Sequence, residues 1–313
     1  MPPVRCSSLF RLAAGFAGLA ALGIGAVVLC LRTVDLPQVV RINSVADLQR
    51  SYAALGYALE QVRRHGRVPP VVLAAVPRDW DSGLNSDERK RLFFQTVLPL
   101  VLSANQAVTN DRDRLLALDA DRSRGATLSA ADRRWLARLA WRYRADPPEA
   151  GRKNGATDRV IAALRLRVAP VPPSLALAQS AIESAYGTSR FATGGNALFG
   201  QWTSGSGMTP EQQRAGKAGW TVARYSSPLL SVEAYLRNLN THNAYREFRR
   251  SRAATLQQGG VPSGLSLAQT LSAYSEKGAA YTQTLQAILR TNSLAALDRA
   301  VLEPGPTIRL IVP

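Results

Sequence analysis

Cysteine and histidine are almost absent from this sequence of 313 residues. The two cysteines, Cys6 and Cys30, lie at opposite ends of an apolar run near the N-terminus, so they cannot form a disulfide within one chain. The rest of the sequence has no thiol, which excludes disulfides, thiolate catalysis and cysteine metal sites there. His65 and His242 stand in no metal-ligand pattern, and neither a G-x-S-x-G segment nor a Gly-rich phosphate loop after a strand occurs. We therefore expect no metal and no cofactor.

Lysine is also scarce, and arginine supplies almost all of a formal net charge of +17. A charge of this size favours an anionic partner such as nucleic acid, a membrane surface or a cell-wall polymer. A codon bias toward arginine would give the same composition without any function. Because no zinc-finger spacing and no RNP-type aromatic motif accompany the charge, we expect no nucleic-acid binding.

One long apolar run, Leu12 to Leu31, lies near the N-terminus and is flanked by arginines. As a helix it would be about 30 Å long, the thickness of a bilayer core. A cleaved signal peptide is the alternative, but the run is longer than a usual signal-peptide core and no A-x-A site follows it. We predict a transmembrane anchor over residues 1–33, placing the protein in the inner membrane with the remainder in the periplasm. The oligomeric state is not indicated.

Beyond this run, apolar residues recur at helical spacing and predict a mainly α chain. The predicted helices are Asn43–His65 ending at Gly66, Ser86–Val108 kinked at Pro99, a helix from Ser129 to about Tyr143, and Asp158–Arg167, Ser174–Tyr186, Ser231–Asn243, Ser266–Tyr274 and Ala279–Thr291. Gly-rich and β-type segments between Phe199 and Tyr225 predict a small β-hairpin lobe. Val71–Val76, between prolines, is either extended or a turn of helix.

The polar stretch Asp146–Thr157, rich in Pro and Gly, is the best internal boundary. It divides a helical accessory region, residues 34–150, from a second domain over residues 151–295, which a tail of residues 296–313 follows. The accessory region carries no chemistry that its residues identify, and a spacer or a cover for a groove is the modest interpretation.

The segment from Pro172 to Thr203 carries the candidate chemistry. With Ser174 as the N-cap and Gly187 as the terminator, Glu183 falls in the last turn of the helix. There the helix dipole disfavours the ionised carboxylate by about 0.3–1 kcal/mol. Burial among neighbouring apolar residues (Ile182, Tyr186 and Phe191) would have to supply the rest of the preference for the protonated form.

A carboxylic acid protonated near neutral pH is what glycosidic cleavage needs, because the departing sugar oxygen must receive a proton. Gln179 lies one turn before Glu183 on the same helix face, where it can bond the carboxyl group or a sugar hydroxyl. A glutamate near a helix end is more often a solvated surface residue, so the residues alone leave both interpretations open.

Four ordered segments resemble a known family. They are ERKRLFFQTVLPLVLSANQAV, ALAQSAIESAYGTSRFA followed by GNALFGQW, YSSPLLSVEAYLRNLNTHNAYREFR, and AYSEKGAAYTQTLQAIL. Together they are similar to the N-acetylglucosaminidase domain of bacterial wall hydrolases, which also occurs in the flagellar rod-cap hydrolase, and in particular to the Bax-type proteins of Gram-negative bacteria. The resemblance implies a lysozyme-like, mostly helical domain with a substrate groove between its lobes.

The resemblance also implies roles for single residues. Glu183 matches the catalytic glutamate of the family, and the loop Asn196–Gly200, which includes Phe199, matches the one that shapes the groove floor. Tyr274 matches a family tyrosine expected to contact the N-acetyl group of the substrate. The other expected substrate contacts are Gln179, Asn196, Phe199, Gln201 and Trp202, although Phe199 and Trp202 fit wall or core packing as well. We expect Tyr281 to be a core residue.

The resemblance also implies a second carboxylate in the hairpin lobe. Relatives often carry a glutamate in the hairpin lobe at the position where Thr221 stands here. Glu211, the acid within the lobe, is the substitute that we assign as a second catalytic residue, while Glu233 on the following helix fits a structural role. If no second acid exists, the 2-acetamido group of the sugar can act as the nucleophile.

These expectations converge on a peptidoglycan hydrolase, a β-N-acetylglucosaminidase with Glu183 as its general acid and the glycan strand as its partner. Two alternatives stay open on the same fold. One is a muramidase or lytic transglycosylase that uses a single glutamate first as acid and then as base. The other is a non-catalytic protein that binds peptidoglycan as a scaffold.

Overall fold

A computed structural model describes residues 38–145, 155–211 and 219–312, most of which are helical. Its α-helices are α1 (Val45–Ala54), α2 (Leu59–His65), α3 (Ser86–Ser123), α4 (Ala130–Arg142), α5 (Gly155–Arg167), α6 (Pro173–Ser184), α7 (Arg190–Gly195), α8 (Pro228–Thr241), α9 (Arg246–Gln257), α10 (Gly264–Leu267) and α11 (Ala279–Thr291). Short 3₁₀ helices cover Asn243–Tyr245, Ala268–Tyr274 and Leu294–Leu297. Strands are β1 (Val39–Arg41), β2 (Arg67–Val68), β3 (Val71–Leu73), β4 (Trp202–Thr203), β5 (Gly207–Met208), β6 (Thr221–Ala223), β7 (Val301–Leu302) and β8 (Ile308–Ile311).

Polar side chains set the starts of α3 and α4. Asn85 Oδ1 accepts from the backbone N–H of Glu88 at 3.0 Å, and Glu88 Oε2 accepts from that of Asn85 at 3.0 Å, so α3 begins with a capping box. Ser129 Oγ accepts from the backbone N–H of Asp132 at 3.1 Å at the start of α4. Both predicted starts are confirmed: α3 begins at Ser86, and Ser129 is the N-cap of α4.

Helix α3 forms the centre of the core. It continues through Pro99 to Ser123, beyond its predicted end, and packs against α6 and α8. It is also the one helix among the described residues that is long and apolar enough to cross a membrane, but 72% of its most apolar stretch is buried inside the protein. That burial is what a core helix shows. The predicted anchor over residues 1–33 lies outside the described residues.

The predicted helix Asn43–His65 is two helices. Gly56 adopts a left-handed conformation with φ +61°, and the backbone N–H of Tyr57 returns to Tyr52 O at 2.9 Å. The rings of Tyr52 and Tyr57 then pack edge to face at 5.3 Å between centroids. Glycine reaches this conformation without steric cost, which is why the break falls there. Gly66, with φ +68°, ends α2 as predicted.

The last residues of the chain join the first described ones in a sheet. β8 lies between β1 and β3 and is parallel to both, with Leu310 opposite Val40 and Leu73. β7 pairs with β2, also in parallel. The segment from residue 296 onward, predicted as a tail, therefore supplies the central strand of a sheet, and β3 resolves the open question at Val71–Val76. The division into domains stays a prediction.

The predicted hairpin lobe is confirmed and has three antiparallel strands in the order β4, β6, β5. Other elements also differ from the prediction. Helix α9 was not predicted, because its buried face carries two arginines, Arg249 and Arg252, beside Phe248 and so lacks apolar periodicity. The predicted helix Ser266–Tyr274 is instead the short α10 followed by a 3₁₀ segment.

Candidate active site

Helix α6 positions Glu183 in its last turn, as predicted. The start of α6 differs from the prediction, because Pro172 is the N-cap and Ser174 makes no side-chain cap. Asp298 takes over this role from the C-terminal segment: its Oδ1 accepts from the backbone N–H of Ser174 at 2.9 Å. A carboxylate at this helix end satisfies a free N–H group and complements the helix dipole.

The end of α6 is a tight turn with three successive left-handed residues. Ala185, Tyr186 and Gly187 have φ values of +50°, +55° and +85°. A Cβ at Gly187 would lie 2.6 Å from Trp80 Nε1, and this indole N–H donates to Tyr186 O at 2.8 Å. The turn therefore requires glycine at position 187, and a buried tryptophan holds it in place directly after Glu183.

Glu183 lines an open groove of about 610 Å³. Four parts of the fold form its walls: the loop that follows α7, the hairpin lobe of β4, β5 and β6 (the β-lobe), α8, and the 3₁₀ segment that ends at Tyr274. Predicted site residues on its wall are Glu183, Phe199, Gln201, Trp202 and Tyr274. The sequence therefore identified residues from three separate segments that the fold brings to one groove.

A chain of hydrogen bonds ends on Glu183. Tyr235 Oη donates to Gln179 Oε1 at 2.7 Å, and Gln179 Nε2 donates to Tyr281 Oη at 2.9 Å. Tyr281 Oη in turn donates to Glu183 Oε1 at 3.1 Å. Because Tyr281 accepts from Gln179, its own hydrogen is directed at the carboxyl group. The chain thereby fixes both the position of Oε1 and its role as an acceptor.

The second oxygen of Glu183, Oε2, faces the loop Asn196–Gly200 (the groove loop). A Cβ at Gly200 would lie 3.6 Å from Oε2, and Gly200 itself has φ +55° and lines the groove. The backbone of the loop can approach the carboxyl group this closely because residue 200 has no side chain.

Four tyrosines surround the carboxyl group. Burial raises the pKa of Tyr274, Tyr281, Tyr235 and Tyr245, and the nearby charge of Glu183 raises each of them further. All four remain neutral hydroxyls across the physiological range. Phe199 stacks on Tyr235 with ring centroids 3.9 Å apart, and Tyr274 stacks on Tyr281 at 5.6 Å. The result is a rigid aromatic wall beside Glu183.

The surroundings of Glu183 differ from the prediction at Tyr186. Ile182, Tyr186 and Phe191 were expected to bury the carboxyl group. Tyr186 instead packs against Phe93 and Phe94 at 5.8 Å, because the left-handed turn directs it toward α3.

Two side chains that were predicted to contact the substrate form hydrogen bonds within the protein instead. Gln179 is fully buried, and its amide bonds the two tyrosine hydroxyls named above, so it reaches Glu183 through Tyr281. It is not among the described residues that line the groove. Asn196 Oδ1 accepts from Val76 N at 3.0 Å and its Nδ2 donates to Tyr225 O at 3.1 Å. Asn196 therefore ties the loop before α3 to the β-lobe.

Of the remaining residues assigned to the site, Gln201 lies in the groove and Glu211 does not. Gln201 lines the groove and its Oε1 accepts from Tyr225 Oη at 2.7 Å. The side chain of Glu211 is 87% exposed, forms an ion pair with Arg190 at 3.7 Å, and is not among the described residues that line the groove. Thr221 Oγ1 donates to Gly205 O at 3.0 Å within the lobe. Glu183 is the one acid among the described residues of the groove wall.

Tyr281 is the site residue that sequence reasoning missed. It is buried, as expected of a core residue, but its hydroxyl reaches Glu183. Its position seven residues after Tyr274, inside a segment that resembles the family, was the available signal. In the parts of the chain that the structure describes, no group of three or more His, Cys, Asp and Glu side chains is arranged to hold a metal ion.

Comparisons with known proteins point the same way. Residues 162–294 match a family model, Glucosaminidase, described as mannosyl-glycoprotein endo-beta-N-acetylglucosaminidase. Over 208 residues the chain is 33% identical to Protein bax of Escherichia coli strain K12, an overlap that covers 65% of this chain and 70% of that protein. No solved structure gives a significant match.

Proposed function

Because this chain belongs to the Bax-type proteins of the glucosaminidase family, we propose that it is a peptidoglycan hydrolase. Its activity is that of a β-N-acetylglucosaminidase on a lysozyme-like scaffold. The observation that carries the proposal is the placement of Glu183, with one oxygen held by Tyr281 and the other directed toward Gly200 on the groove wall.

This geometry assigns different tasks to the two carboxyl oxygens. Oε1 accepts the Tyr281 hydrogen, so the acidic proton resides on Oε2, the oxygen on the side of the groove loop. A glycosidic oxygen bound there receives that proton as its bond to C1 breaks. Because the Glu183 side chain is already held in one rotamer, the reaction does not have to supply the entropic cost of ordering it.

The nucleophile is best supplied by the substrate. Glu183 is the one acid on the described groove wall, and Glu211 is paired with Arg190 outside it. In a substrate-assisted reaction the carbonyl oxygen of the 2-acetamido group attacks C1 while the leaving oxygen takes the proton from Glu183. Water then opens the oxazolinium ring at C1 and returns a proton to the Glu183 carboxylate. We assign to Tyr274, which lines the groove, the role of orienting the acetamido group.

A single acid also favours one alternative. A muramidase or lytic transglycosylase on the same fold uses one glutamate as acid and then as base. The two activities differ in which sugar is left with the new reducing end.

Digestion of purified sacculi tests this proposal. The products are reduced with borohydride and identified by mass spectrometry. We expect reduced N-acetylglucosamine at the new ends. Reduced N-acetylmuramic acid or its 1,6-anhydro form would favour the alternative, and sacculi that bind the protein but release no fragments would favour a scaffold.

The location of the enzyme is part of the proposal. An anchor over residues 1–33 in the inner membrane would keep the groove in the periplasm, next to the glycan strands. Fractionation of cells, with protease digestion of spheroplasts, tests this placement: we expect the chain in the membrane fraction and accessible from the periplasmic side.

A further inference from the structure

The groove that holds Glu183 also carries two exposed arginines, Arg144 after α4 and Arg237 on α8. Within residues 38–145, 155–211 and 219–312 neither forms an ion pair. Glu233 lies one turn before Arg237 on α8, a spacing that favours ion pairs, yet the two do not pair. Asp111, an acid near Tyr143, is held by Arg142 at 2.8 Å.

The two arginines belong to a larger basic region behind the groove. Burial, together with neighbouring arginines, lowers the pKa of Arg252 to about 9 and that of Arg249 to about 10, so both stay charged at neutral pH. Their guanidinium groups donate to backbone carbonyls: Arg252 to Ala169 O at 2.8 Å, and Arg249 to Leu239 O at 2.9 Å. These carbonyls follow α5 and end α8, and their partial negative charge only partly offsets a full positive one.

The backbone at Arg144 gives an independent indication. Arg144 has φ +52°, and Ala145 N returns to Ala140 O at 2.9 Å, so residue 144 terminates α4 in a left-handed conformation. Glycine is the favoured residue at such a position, and Gly66 fills it after α2. An arginine that keeps this unfavourable conformation and lines the groove points to a use for its side chain.

We propose that Arg144 and Arg237 bind a carboxylate of the peptidoglycan strand while Glu183 acts on the glycan. The proposal rests on the function proposed above. Arg144 and Arg237 line the same groove, and guanidinium groups hold carboxylates through charge-assisted, bidentate hydrogen bonds. Two parts of the strand offer this chemistry: the free carboxylates of the peptide stems, and the lactyl carboxylates of N-acetylmuramic acid that remain once the stems are removed.

Co-sedimentation of the full-length chain with three polymers tests the proposal independently of turnover. The polymers are intact sacculi, sacculi stripped of peptides by an amidase, and chitin, which carries N-acetylglucosamine but no carboxylate. The variants are the double substitution Arg144→Gln with Arg237→Gln, and Arg134→Gln as a control. Arg134 is an exposed arginine of α4 that lies outside the described groove wall.

We expect the double variant to bind intact sacculi at least about tenfold more weakly than the wild type, and chitin within about twofold of it. A loss confined to intact sacculi identifies the peptide stems, and a loss on stripped sacculi shows that the pair also binds the lactyl carboxylate, which is free only after the stems are removed. The wild-type preference for sacculi over chitin should weaken as salt is added. Arg134→Gln should match the wild type on all three polymers.

Equal loss on sacculi and chitin, or no loss on either, would overturn the assignment of a carboxylate site. The single variant Arg144→Gly separates binding from folding. Because glycine relieves the left-handed strain, it should raise the melting temperature while weakening binding to sacculi. If sacculi bind through this pair but no polymer is cleaved, the proposed hydrolase activity fails while the carboxylate site stands.

Discussion

Tyr281 Oη donates a hydrogen bond to Glu183 Oε1 at 3.1 Å, across 98 positions of sequence. Gln179, one turn before Glu183 on α6, donates to the same hydroxyl at 2.9 Å. The tyrosine therefore serves as a fixed donor that holds the carboxyl group against the aromatic wall. A positioning role of this kind predicts a particular kinetic effect when the hydroxyl is removed.

Replacing Tyr281 by phenylalanine should lower kcat about 10- to 100-fold and leave KM within about twofold, because the carboxyl group loses its fixed orientation while the groove keeps its shape. Steady-state kinetics on purified glycan strands measures both constants. Tyr52→Phe is the matched control, since Tyr52 Oη donates to Thr96 Oγ1 at 3.2 Å far along the chain from the groove residues. An equal fall in kcat for both variants would assign the effect to general destabilisation.

Gly200→Ala should reduce turnover about tenfold. The added methyl group would lie 3.6 Å from Glu183 Oε2, on the side where the substrate oxygen must bind, and φ +55° adds strain of about 1 kcal/mol. Gly259→Ala is the control for strain alone, because Gly259 has φ +72° and no atom within 4 Å of its added Cβ. Turnover by the two variants, normalised to folded protein, distinguishes the effects. A Gly200→Ala enzyme as active as Gly259→Ala would show that Oε2 does not face the substrate.

Sequence patterns predicted most of the helices. They also identified groove residues in three parts of the chain: α6, the loop that follows α7, and the 3₁₀ segment that ends at Tyr274. Helix starts at Ser129 and near Asn85 follow from local side-chain capping, which the sequence displays directly. The pairing of β8 with β1 depends on contacts between the two ends of the chain, which no local pattern records. The same holds for Tyr281 and Gln179, since a buried tyrosine and a buried glutamine acquire a role at Glu183 only once α6 and α11 pack together.

Asp298 should make a pH-dependent contribution to stability. Its two carboxylate oxygens accept from the backbone N–H groups of Ser174 and Gly264 at 2.9 and 3.0 Å, so Asp298→Ala should lower the free energy of unfolding by about 2 kcal/mol. Burial nevertheless raises the pKa of Asp298 above its ordinary value of 3.8. The folded state therefore binds this proton more readily than the unfolded state.

The sign of the pH effect follows from that shift. The contribution of Asp298 is full below pH 3.8 and declines as the pH rises through the folded-state pKa. Urea denaturation of the wild type and of Asp298→Ala, at pH values from about 3.5 to about 7, measures this effect. The difference between their free energies of unfolding should shrink as the pH rises. A difference that grows with pH would mean that Asp298 is stabilised in its ionised form.

The central claim concerns the proton that Glu183 delivers. Its most direct test is release of soluble fragments from purified sacculi by the wild type and by Glu183→Gln, with circular dichroism and thermal unfolding to confirm that both fold alike. The amide keeps the size of the side chain and can still accept from Tyr281, but it has no acidic proton to give. We predict a fall in turnover of at least about 10²-fold with an unchanged melting temperature. Turnover by Glu183→Gln at the wild-type rate would contradict the account.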